Sequence, residues 1–140
     1  MEELLVFAFL LQEELAAEEE YHNKLDELFL ASPEDEDLLY LEWETDVKKA
    51  VIYIQTHVVD RALDYERFGR IFINKLRVCY ETCCDIKQFA DRMYRLWKAL
   101  PGTIQKQEPF VVLCYADDPL SWGDEEQTRK LYEDLLDYYK

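Results

Sequence analysis

The sequence predicts an all-α fold, a single-domain bundle of four to six helices over residues 1–140 with an irregular connection at 101–123. Three observations point that way. Only three Gly and four Pro occur in 140 residues, about 5% against a usual combined share near 12%, which disfavours a hairpin-rich β fold. Apolar residues recur at spacings of three and four along most of the chain, which is one face of a helix. Capping residue types stand in front of most of these runs. An α+β arrangement with one small sheet is the alternative, because residues 51–59 and 110–115 are rich in β-branched side chains. With 49% apolar and 14% aromatic residues, the chain has enough material for a packed core despite its charge.

The first helix is expected from Glu2 or Glu3 to about Ala31, with Leu4, Ala8, Leu11, Leu15, His22, Leu25 and Phe29 on its stripe. Its first two turns are apolar on every side, so other helices enclose them or a second subunit covers them. Ser32 and Pro33 then suit an N-cap and a first helical position, and 34–37 place four carboxylates where the helix dipole favours them. The second helix runs through Tyr40, Trp43, Val47, Val51, Ile54 and Val58. Asp64 caps a third, with a stripe of Tyr65, Phe68, Phe72, Leu76, Cys79 and Cys83. The most completely punctuated element is 85–102. There Asp85 suits an N-cap, Ile86, Phe89, Ala90, Met93, Leu96, Trp97 and Leu100 form one face, and Pro101-Gly102 stops the helix. Its other face carries Lys87, Arg92, Arg95 and Lys98. Residues 110–115 read as a short helix or a buried strand. Asp124 caps the last helix, which buries Leu131, Tyr132, Leu135 and Tyr139.

Charge is the strongest functional signal. The formal net charge is −15. Residues 1–60 carry 17 acids against 3 bases, 61–100 carry 5 against 9, and 101–140 carry 9 against 4. Such a surface repels phosphate backbones and anionic lipid, so direct binding of nucleic acid or membrane is disfavoured. The basic 61–100 block is expected to meet acids within the chain. The apolar 4–11 run follows two glutamates where a signal peptide needs positive charge, and it is far shorter than the roughly 20 residues that span a bilayer. A cytoplasmic protein with reduced thiols is therefore expected.

Catalytic and metal motifs are weak. Glu19-x-x-His22 has the spacing of a di-iron half-site, but His57 lacks a glutamate three places earlier. In a helical hairpin about Ser32, the two histidines would lie about 22 Å apart along the axis. Cys79, Cys83, Cys84 and Cys114 lack a zinc-knuckle spacing and read as small buried hydrophobes. No Gly-rich phosphate loop or nucleophile elbow occurs. No enzyme activity, cofactor or metal is expected.

The remaining candidate is the loop 115–126, where Asp117, Asp118, Asp124, Glu125 and Glu126 surround Trp122. An aromatic anchor among acids suits contact with a basic protein. The expected function is a small acidic helical binding protein, an inhibitor, immunity-type or anti-defence protein engaging a basic partner such as a nuclease or toxin. Two alternatives stand beside it: a metal- or small-molecule-binding protein centred on His22, and a homodimeric structural or regulatory module joined through 4–11.

Overall fold

The structure is a computed structural model in which residues 1–139 are described. It is helical throughout: among the described residues there are eight α-helices, three short 3-10 helices and no strand. The chain divides into two compact units, one of residues 1–71 and one beginning at Phe72.

The first unit is built on α1 (Glu2–Gln12). Leu4, Leu5, Val6, Phe7, Ala8, Phe9 and Leu10 are all buried, so this helix has no outward face along those turns. It packs on α2 (Glu18–Ala31) and α4 (Val47–Thr56). Enclosure within the chain closes the apolar seam that a homodimer through 4–11 would use. The long first helix expected from the sequence is broken at 13–17. A continuous 30-residue helix would be about 45 Å long, and most of its second half is amphipathic. Ending at Gln12 keeps the wholly apolar segment inside.

That exit is a Schellman turn. The Leu15 amide donates to the Leu10 carbonyl at 2.8 Å and the Glu14 amide to Leu11 at 3.1 Å. Glu14, the residue between, takes a left-handed φ of 58°. Glycine is the usual occupant of such a position, and its absence hid the break.

The next boundary also differs. Ser32 terminates α2, and Asp35 is the cap of α3 (Glu36–Trp43), accepting from the amides of Asp37 and Leu38. The expected second helix is then interrupted at 44–46, where Asp46 caps α4 through the Lys48 amide. Residues 51–56 continue α4, and Val58–Asp60 forms a 3-10 turn, so the β-branched patch is helical. Asp64 caps α5 (Tyr65–Thr82) through the Glu66 and Arg67 amides, as expected. α5 runs across the boundary between the units.

Basic residues at the start of the 61–100 block meet acids at home. Arg61 bridges Asp35 at 2.9 Å and Asp37 at 3.1 Å, and Arg67 pairs with Glu2 and Glu3. Burial opposes ionisation of Asp35, yet Arg61 and the Leu38 and Asp37 amides outweigh it and hold its carboxyl below the ordinary value. Asp37 also accepts the Tyr53 hydroxyl at 2.6 Å. The Tyr53 ring lies between Tyr40 and His57, stacked on each at 4.1 and 4.2 Å.

In the second unit, α6 (Ile86–Ala99) matches the sequence reading closely. Asp85 accepts from the Lys87 amide at 2.9 Å. Ile86, Phe89, Ala90, Met93, Leu96 and Leu100 are buried. Instead of a plain stop, Pro101 leads into the single turn of α7 (Gly102–Gln105), locked to α6 by the Trp97 indole donating to the Gln105 carbonyl at 3.1 Å. Residues 110–114 are a 3-10 helix that packs on α6. A second 3-10 helix, Asp118–Trp122, leads through Gly123 into α8 (Glu125–Leu136). Tyr132 of α8 meets Phe89 edge-on at 5.0 Å.

The left-handed Glu14 yields a direct stability prediction. Glu14→Gly removes the Cβ clash of that conformation, and should raise stability by roughly 0.5–1 kcal/mol after the entropic cost of glycine. Chemical denaturation at constant slope checks this; a loss of stability would show that the turn is not as described.

Candidate functional site

Placement of the acids is the first fact about the site. Residues 1–71 hold 19 acids and 6 bases, a net of −13, whereas residues 72–140 hold 12 and 10, a net of −2. Negative charge is thus a property of the first unit. Some of its acids are structural, as with Asp35, Asp37, Glu2 and Glu3 above. Others are not: Glu18 and Glu19 of α2, with Glu34 and Glu36 at the start of α3, are exposed and make no ion pair among the described residues.

Exposed apolar groups share that unit. Trp43 is 80% exposed at the end of α3, and Leu30 equally so near the end of α2. Sequence periodicity places Trp43 on a core stripe continuous with Val47 and Val51. The break at 44–46 ends that continuity and leaves the indole outside. No signal short of locating the break distinguishes the two outcomes.

A groove of about 570 Å³ opens between the end of α1, the 13–17 turn and α4, lined by Leu11, Val47, Val51 and Ile52 with Gln12, Glu14, Ala16, Glu18, Lys48 and Gln55. The Gln55 amide donates to Gln12 at 2.7 Å and ties two of its walls together. Sequence reasoning missed this groove because it exists only where the first helix breaks.

The predicted loop lies in the second, nearly neutral unit. Trp122 is 67% exposed, and Asp118, Asp124, Glu125 and Glu126 are exposed around it. Asp124 is occupied as the α8 cap, accepting from the Gln127 amide at 3.0 Å, and Glu125 pairs with Arg129 at 3.5 Å. Asp117 is turned inward. Its Oδ1 is buried without a hydrogen-bond partner, as are the hydroxyls of Thr128 and Tyr132. Burial first, then the charges of Asp118 and Asp91, push the Asp117 carboxyl above its ordinary value.

His22 stands exposed on α2 with its ring against Tyr21, and His57 is exposed at the end of α4. No group of three or more His, Cys, Asp or Glu arranged to hold a metal ion occurs among the described residues. The cysteines are less buried than expected: Cys79, Cys83 and Cys114 are half-buried and Cys84 is exposed, all as free thiols. No helix among the described residues is long and apolar enough to cross a membrane.

Between α2 and α3, Glu42 faces Asp26. Burial, then the Asp26 carboxyl beside it, push Glu42 up to about 7. Its Oε1 is buried without a partner, as is the Tyr21 hydroxyl; burial and the charges of Glu42 and Glu44 push that phenol up to about 12.

Searches of protein-family profiles, curated proteins and solved structures returned no match to this chain.

The raised Glu42 sets a pH dependence. The folded state holds a proton that the unfolded chain releases above its usual value of 4.5. Its contribution is therefore present below that value and lost as pH rises through about 7. Glu42→Gln, which stays neutral, should leave stability near pH 4.5 almost unchanged and raise it at pH 8 by on the order of 1 kcal/mol. Denaturation of both proteins across that range measures it; equal curves would dismiss the raised Glu42 carboxyl.

Proposed function

We propose that this chain is a non-catalytic binding protein whose acidic first unit engages a basic macromolecular partner, with a nuclease or toxin as the partner class, in the manner of an inhibitor, immunity-type or anti-defence protein. One observation carries the reading: a net of −13 concentrated in residues 1–71, with Glu18, Glu19, Glu34 and Glu36 exposed and in no ion pair among the described residues. A patch of one sign raises the encounter rate with an oppositely charged surface and presents the negative charge that a nuclease meets on its substrate. Exposed Trp43 supplies the large rigid side chain that typically carries binding energy at such contacts. The acidic loop at Asp118, Trp122, Asp124, Glu125 and Glu126 serves as a second, smaller contact, with Asp117 supporting the loop from inside. A cytoplasmic setting suits four free thiols.

The test is kinetic. With a basic partner co-purified from host lysate, the association rate should fall about tenfold or more from low to physiological salt. Replacing Glu18, Glu19, Glu34 and Glu36 with glutamine should slow association by a similar factor at low salt, and Trp43→Ala should act mainly on dissociation. Association that ignores both salt and the glutamine variant would reject the acidic surface as the binding element.

A further inference from the structure

The groove at the break between α1 and α2 has chemistry that the acidic surface alone does not require. Part of its lining is apolar: Leu11 comes from α1, and Val47, Val51 and Ile52 from α4. Ile52 of this lining is 61% exposed, an apolar side chain left open to solvent. A volume of about 570 Å³ falls in the range of roughly 300–1,000 Å³ typical of ligand pockets, and exceeds what one side chain fills.

The rim is charged, and one of its charges is held at a cost. Glu14 occupies the left-handed position of the Schellman turn at φ 58°, where glycine is conformationally preferred. Its side chain makes no ion pair among the described residues and lines the groove with Glu18. Lys48 is the one cation among the lining residues, so the groove carries two carboxylates to one ammonium. Anionic ligands are opposed both by the mouth and by the unit that surrounds it. An apolar occupant bearing positive charge satisfies the floor and the rim together.

We infer that this groove seats an amphipathic basic segment of a protein partner, its apolar side chains on Leu11, Val51 and Ile52 and its cations at Glu14 and Glu18. The inference rests on the acidic-surface reading above and adds to it a specific seat and an apolar requirement. Glu14 is then a specificity residue: its carboxylate is kept at the mouth despite the strain of its backbone.

Three capped peptides of about 18 residues, long enough for a marginal helix, serve as probes. They are a Leu/Lys amphipathic sequence, an oligolysine, and a Leu/Gln sequence of the same apolar pattern. Titration calorimetry should show the Leu/Lys peptide binding about tenfold more tightly than oligolysine. Ile52→Ser, at an exposed position that folding tolerates, should erase that advantage and leave oligolysine unaffected. Glu14→Gly should weaken the Leu/Lys peptide by about threefold while its melting temperature rises, opposite signs that a merely structural role would not produce. If Leu/Lys and oligolysine bind equally and Ile52→Ser changes nothing, the groove assignment fails while the acidic-surface reading stands. If neither cationic peptide binds in a salt-dependent way, the acidic-surface reading fails and the groove assignment with it. Tight binding of the Leu/Gln peptide would overturn the basic occupant in favour of a neutral apolar one. Self-association abolished by Ile52→Ser would place a second copy there instead.

Discussion

A helix with no polar side is the constraint from which the first unit follows. Seven consecutive residues of α1, from Leu4 to Leu10, are buried, which an amphipathic neighbour cannot achieve alone. The chain must therefore supply partners from several directions, and it does so from α2 and α4, with Phe68 of α5 meeting Phe9 edge-on at 6.3 Å. The helix must also stop when its wholly apolar run stops, because Glu13 and Glu14 have no place in that interior. The Schellman turn and the groove left at the break are both consequences of that termination.

Carboxylates then divide into two populations with different work. Asp35, Asp46, Asp64, Asp85 and Asp124 cap helices, where their charge satisfies free amides. Asp35 and Asp37 also clamp Arg61, and Glu2 and Glu3 clamp Arg67. These groups stabilise local structure and contribute little to an external field. Glu18, Glu19, Glu34 and Glu36, exposed and in no ion pair among the described residues, do the reverse. They repel one another and lower the stability of the unit that carries them, a cost consistent with a surface maintained for association.

Much of the helical character was legible in advance, and the reasons are specific. At Asp85 through Leu100 the cap, the stripe and the stop agree, and the structure reproduces all three with one added turn. Asp64 and Asp124 were likewise recognisable as caps. What escaped was interruption. Glu14 at a left-handed position, and the 44–46 connection with a capping aspartate at its end, contain neither glycine nor proline, so the usual breakers were silent. Each missed break displaced a functional reading. The first concealed a groove, and the second hid an exposed tryptophan behind an apparently continuous stripe. The Asp117 to Glu126 loop was found through its composition, yet composition does not show that Asp117 points inward or that Asp124 is spent on a helix end.

The distribution of sulfur has a consequence of its own. Every thiol, Cys79, Cys83, Cys84 and Cys114, lies beyond residue 71, with Cys84 the most open to attack. Oxidants and alkylating electrophiles acting on cysteine therefore reach only the second unit, while the acidic first unit offers them no thiol. A molecule oxidised at its thiols can therefore retain an unmodified acidic face.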